Sequence, residues 1–208
     1  MSALAQLKYG SRLSRFATAR IGQLVYSKEQ PNITACFYEY LGARGISLTS
    51  EESDCLFSFE TNPLKLGRPC IILGRTPDGG YNVCFLAQIR AQEFSPIGRF
   101  FGVPLGTSSA SLRLTPPTQP TLLHKPRFYL FAIPVIRHRI HLPPGEPRHL
   151  VPEDVQRAIE FVRDRENACY HTHATLRREQ MQWVRDNRYW RFKNPQEGGV
   201  NLRTYLKM

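Results

Sequence analysis

No apolar run in this chain approaches the roughly 20 residues needed to span a bilayer, so no membrane partner is expected. The pattern of a secretory signal is missing as well. Cysteine is sparse, five in 208 residues, and the odd number without paired spacings argues against a disulfide scaffold. Such usage suits a reducing intracellular compartment, cytoplasmic or nuclear. Acids are outnumbered, 17 against 28 lysines and arginines, leaving a net charge of +11. That imbalance favours polyanionic partners such as nucleic acid or an anionic membrane surface, though a basic balance also occurs without any such partner. There is no nucleophile elbow for Ser/His/Asp chemistry. There is no phosphate-cradling glycine loop either, because Gly79-Gly80 leads into a strand pattern and not a helix. No internal repeat or low-complexity tract is visible.

Hydrophobic residues at 41% and aromatics at 11% are enough for one self-sufficient core in a chain of this length. The charge is unevenly spread. Residues 1–28 carry five basic groups and no acid, whereas 29–60 hold six acids and one arginine. The basic excess returns in 121–150 and again after Leu176. The Ser/Ala-rich, acid-free start has the composition of a mitochondrial transit peptide, a basic arm being the alternative. We therefore divide the chain into a basic N-terminal arm (1–28), a core domain (29–165) and a basic C-terminal helical extension (166–208).

The most informative stretch is 66–89. Pro69 opens the short apolar run Cys70-Ile71-Ile72-Leu73, which reads as a buried strand. Thr76-Pro77-Asp78-Gly79-Gly80 has the chemistry of a reversal, with Pro presetting φ and glycine free to take positive φ. Residues 81–89 return as a second strand, with Val83, Phe85 and Ala87 on one face. Apolar Cys84 and Leu86 on the other make burial on both sides plausible. Upstream, 54–59 has the composition of a third strand. This gives a three-strand meander in which Cys70, Ile72, Val83, Phe85 and Phe57 are expected inside.

Elsewhere, 33–41 reads as a short aromatic helix ended by Gly42, and 99–105 as a strand. Residues 90–98 and 106–119 read as loops, the second long and exposed. Residues 128–133 and 135–141 read as two strands broken at Pro134, the second with cations on one face. Pro152, Glu153 and Asp154 start the clearest helix, with Val155, Ala158, Ile159 and Val162 on one buried face. The pattern fades around 166–173, and a second helix follows through Leu176, Trp183 and Val184, its arginines 177, 178, 185 and 188 outward. Short strands with a late helix suggest a mainly β (α+β) fold, a small SH3-like barrel with flanking helices.

The order DCLFSFETNP, LKLGRPCIIL, GGYNVCFLAQI resembles the core of the PemK/MazF-type toxin family, over about residues 54–89 and more loosely to 165. The resemblance implies a small, commonly dimeric barrel that binds and cleaves single-stranded RNA without a metal. Arg68 falls on the family's catalytic arginine. The hydroxyl position falls near Ala87-Gln88, where no hydroxyl stands. Cleavage needs a base, an acid and a cation. Arginine supplies the last and is a poor base, and glutamine can only hydrogen-bond. Arg68 paired with Asp54 or Glu60 is the structural alternative.

Candidate nucleic-acid contacts are Arg68, Arg75, Gln88, Arg90, Arg127, Arg137 and Arg139. Cations beside aromatics, as in Arg127-Phe128-Tyr129 and again from Arg185 to Lys193, hold phosphates while rings stack on bases. Trp183 is assigned to the core by its spacing. Cys169, His171 and His173 do not share one helix face, so no metal is assigned. No cofactor is implied. The functional expectation is an RNA-binding PemK/MazF-like protein, either a metal-independent endoribonuclease or a degenerate relative of one. The alternative is a non-catalytic interaction or structural component, for instance of a ribonucleoprotein assembly, with a homodimer or another protein as partner. A groove joining Arg68, Arg75 and Arg137 would favour RNA.

Overall fold

The computed structural model describes residues 19–27, 33–54, 68–89, 95–106, 110–115, 127–142 and 147–186. The elements run β1 (Leu24–Ser27), α1 (Ile33–Ala43), β2 (Arg68–Arg75), β3 (Tyr81–Ile89), α2 (Pro96–Phe101), β4 (Gly102–Leu105), β5 (Leu114–Thr115), β6 (Arg127–Phe131), β7 (Val135–Arg137), β8 (Ile140–His141), β9 (His149–Leu150) and α3 (Pro152–Asp186). The expected hairpin, β2 and β3, is the centre of the sheet. Its apolar run buries Cys70, Ile71 and Ile72 against Val83 and Cys84, and Phe85 and Leu86 are buried too, so both faces are covered.

The sheet order is β4-β6-β3-β2-β1-β8, with β7 on the first half of β3 and every strand pair antiparallel. β5 and β9 form a separate ribbon. The architecture is α+β, a mostly antiparallel sheet with a long C-terminal helix, and no described pairing closes it into the expected barrel. The reason lies at its ends. The outer edge of β4 is occupied by its own chain, Leu112 N–H donating to Pro104 O at 2.9 Å and Gly106 N–H to Leu112 O at 3.0 Å. At the other end β8 is only two residues long.

Two corrections concern the neighbours of the hairpin. The place beside β2 is taken by β1, from the segment assigned to the arm, with Val25 opposite Cys70 and Ser27 opposite Arg68. Val25 is fully buried there, so its apolar side chain outweighs the basic composition around it. Residue 54 meanwhile ends a helical turn over 50–54. Thr49 and Glu52 form a capping box: the Glu52 carboxylate accepts from Thr49 N–H at 2.8 Å, and Thr49 Oγ1 from Glu52 N–H at 3.2 Å. The rest of the expected strand, Phe57 included, lies outside the described residues.

Local chemistry explains other differences. Ser95 caps α2 by accepting from Gly98 N–H, with Pro96 in the first turn, so 96–101 is helical and only 102–105 is strand. α1 runs past Gly42 to Ala43 and is closed by a Schellman end, Gly45 at φ 73° donating to Gly42 O and Ile46 N–H to Leu41 O. Within 106–119, Leu112 is buried and β5 pairs β9. The break at Pro134 is present, since β6 and β7 flank it and both pair β3.

Helix α3 is continuous for 35 residues, about 52 Å. The expected interruption near 166–173 is absent because Cys169 and Leu176 carry on the buried stripe of Ala158 and Val162. The boundary placed at 165 therefore falls inside one helix. Gln180, fully buried, ties three helices: its amide donates to Thr34 Oγ1 at 3.1 Å and its oxygen accepts from Ile97 N–H at 3.3 Å. Tyr38 O–H donates to the Met181 sulfur at 2.8 Å. Trp183, assigned to the core, is half-buried.

Candidate nucleic-acid interface

Arg68 heads β2 and lines a cavity of about 10 Å³ with Ile33, Cys36, Phe85, Ala87, Phe131 and Ile133. The arginine and alanine positions singled out from the sequence thus meet in one place, which has room for about one water. Arg68 is the one charged residue in that lining. Burial pushes the Cys36 thiol up to about 12, against the opposing pull of Arg137 and Arg68, so it offers no base at neutral pH. Among the described residues the cavity holds neither the acid nor the base that strand cleavage requires.

Arg75 ends the same strand, seven residues on, about 23 Å from Arg68 at strand rise. Its surroundings differ. The reversal after it is a Pro77-Asp78 turn in which Gly79 N–H donates to Thr76 O at 3.1 Å and Thr76 N–H to Gly80 O at 3.0 Å. Gly79 takes φ 84°, the left-handed residue of a three-residue hairpin loop. A bulge between Ile72 and Gly74 shifts the β2–β3 register by one, setting Arg75 opposite Tyr81. Without it Gly74 would face Tyr81. The Arg75 guanidinium lies 5.5 Å from the Tyr81 ring centre and donates to Ala19 O at 3.0 Å.

The β7–β8 turn lies on the far side of Tyr81, because Tyr81 also pairs with Arg137. The His138 ring closes over Gly80, where a Cβ would come within 3.0 Å of it and 2.7 Å of Thr76 Oγ1. His138 Nε2 is 3.7 Å from Asp78 Oδ2. Arg20, Arg75, His138 and Arg139 are all exposed. Arg75 and His138 thus flank Tyr81 and its turn, with Arg20 following Ala19, Arg139 leading from His138 toward β8, and Asp78 the acid nearest the histidine. The nearby Thr76 side chain, the Gly80 N–H and the neighbouring His138 ring hold the Asp78 carboxyl below its ordinary value.

The expected site residues do not form one groove. Arg137 points inward, 5% exposed, while Ile136 beside it is 47% exposed. Its guanidinium donates to Glu39 at 2.5 and 2.8 Å and lies 5.4 Å from the Phe85 ring centre, so it belongs to the interior and not to a binding surface. Arg139 falls in the turn between strands. Arg127 and Gln88 lie in β6 and β3 with their side chains outside the described residues, as is all of Arg90. Tyr81 and His138 were not singled out from sequence. The signal for Tyr81 was its place directly after Gly79-Gly80, opposite a strand ending in arginine.

Three acids of the 29–60 segment are consumed internally. Glu51 and Glu52 each accept two hydrogen bonds from one arginine of α3, Arg185 and Arg177 respectively. Two of the arginines read as an outward row are thereby occupied, and Glu39 is held by Arg137. Much of the remaining positive excess falls at the two ends, with five basic residues against one acid in 187–208. No protein-family model matches this chain, and no curated protein or solved structure matches it either. Among the described residues no helix is long and apolar enough to cross a membrane.

Proposed function

We propose that this chain binds RNA without cleaving it, through the basic end of the sheet formed by Arg20, Arg75, His138 and Arg139. One observation carries the reading. Three separate segments that adjoin the β2–β3 turn carry the exposed basic side chains Arg20, Arg75, His138 and Arg139, while Glu39, Glu51 and Glu52 are taken up by other arginines. Guanidinium groups so placed match phosphate oxygens, and the field around them draws a polyanion. An open sheet with Arg68 beside Ala87 fits a degenerate relative of the PemK/MazF-type toxins better than an active nuclease, since the cavity offers one cation and no proton donor or acceptor suited to neutral pH.

The test is equilibrium binding of a labelled mixed-sequence RNA to the full chain across a salt series, with RNA length followed on a gel. The double variant Arg75→Ala/Arg139→Ala should bind about ten- to a hundredfold more weakly. Its log–log salt slope should shrink by about 1.4, the signature of two lost phosphate contacts on a single strand. Unchanged affinity in the variant would defeat the reading and bring forward the protein-interaction alternative. RNA shortened over time by the wild type, and not by Arg68→Ala, would restore the nuclease.

A further inference from the structure

Resting on the RNA-binding reading, we infer that Arg75 and Tyr81 form a stacking platform for an unpaired nucleobase, so the RNA taken here is single-stranded. Three features set the Arg75 side chain over the ring and hold it there. The Ile72/Gly74 bulge makes Arg75 the cross-strand partner of Tyr81, and a bulge is the usual means by which a strand re-aims a side chain. The Ala19 carbonyl accepts from Nη2 at 3.0 Å, pinning the guanidinium at its far end. Tyr81 itself is partly buried and packed against the core, which supports the ring from beneath.

An arginine held in this way differs from an ordinary surface cation. A flexible side chain loses rotamer entropy on binding, whereas this one has already lost it. Its guanidinium is planar, and a base stacks on such a plane as it does on an aromatic ring. Among the described residues Ala19 O is the one hydrogen-bond acceptor it meets, leaving other N–H donors for a base edge or phosphate. His138, which follows Arg137 on the strand side opposite β2 and closes over Gly80, is placed to hold the flanking backbone. A duplex cannot use the platform, because its bases are stacked on one another and show only their edges.

The experiment compares a single-stranded RNA with a hairpin duplex of equal length, binding the full chain at matched salt. Wild type should favour the single strand by about tenfold. Arg75→Lys keeps the charge and removes the plane. It should erase that preference while the salt slope, which counts charges, stays as it was. Tyr81→Leu should lower single-strand affinity in the same direction, with its unfolding transition measured alongside to separate loss of the platform from loss of the fold. Equal wild-type affinity for both RNAs, or full single-strand preference in Arg75→Lys, overturns the platform and leaves RNA binding standing. Failure of the wild type to bind either RNA overturns both.

Discussion

Arg137 and Glu39, separated by 98 positions, meet in a two-pronged ion pair that joins β7 to α1 beneath the sheet. The arginine is nearly enclosed, and the Glu39 side chain keeps 37% of its exposure. The pair therefore sits at the border between a buried and a surface interaction. It also explains why the alternation through 135–137 points its cation inward: the enclosed charge has a carboxylate to receive it and the Phe85 ring beside it.

Glu39→Gln should destabilise the fold by about 2 kcal/mol, below the full range for enclosed pairs because the glutamate is partly solvated. Arg137→Met alone should cost less, and the double variant should lie close to Arg137→Met. Urea unfolding of the four proteins completes the cycle. Strict additivity would show that the pair contributes nothing as a pair.

Gln180 offers a sharper test of helix assembly. Gln180→Leu keeps the volume and strips both hydrogen bonds, leaving Thr34 Oγ1 without its donor and Ile97 N–H without its acceptor. A loss of about 2 kcal/mol is expected. A variant as stable as the wild type would mean that water replaces the amide.

Two buried carboxylates set the acid limb. Burial alone would raise Asp154 and Glu52. The side chain and backbone N–H of Arg113, with Arg157, hold Asp154 below its ordinary value, and Arg177 with Thr49 does the same for Glu52. The unfolded chain then binds more protons than the folded one as pH falls below about 4. Their contribution is complete above that range and is lost as pH drops through the lowered values. Asp154→Asn and Glu52→Gln should each flatten the fall of melting temperature on acidification while lowering it at neutral pH. An unchanged acid limb would remove these groups from the account.

The turn supporting the platform depends on glycine at two positions for different reasons. Gly79 needs positive φ, so Gly79→Ala should cost about 1 kcal/mol. Gly80 needs an empty Cβ position under His138, so Gly80→Ala should displace that ring. Ring-proton chemical shifts of His138 would report this, and no change in them would show that the contact is dispensable.

The described thiols should be silent in the folded state. Burial pushes Cys36 and Cys70 to about 12 and Cys169 to about 11, and Cys84 goes well above its ordinary value. Alkylation at mild pH should reach these four only on unfolding, and fast labelling of any of them in the native protein would contradict the packing.

What the sequence by itself determined is whatever depends on neighbours in the chain. The β2–β3 hairpin was legible because an apolar run, a Pro-Asp-Gly-Gly turn and an alternating return all agree within about 20 residues. The same holds for the start of α3 at Pro152, the aromatic helix α1 and the strand break at Pro134. The capping signals Thr49–Glu52 and Ser95–Pro96 were equally local, and the helices they mark could have been read from them. Tertiary structure alone decided which distant segments meet. Leu24 and Val25 were visible as apolar residues that could pack a basic arm onto the domain, and tertiary structure decided that they do so as a sheet strand against Cys70 and Ile71. Arg137 looked like a ligand contact until Glu39 arrived from 98 residues away. The candidate interface follows the same division. Arg75 and Arg139 were visible as cations. The meeting of Arg75 with Tyr81 depends on a one-residue bulge, and no pattern of residue types specifies where a register slips. Charge and hydrophobicity are properties of a position, whereas pairing across a sheet is settled by which faces can be buried together.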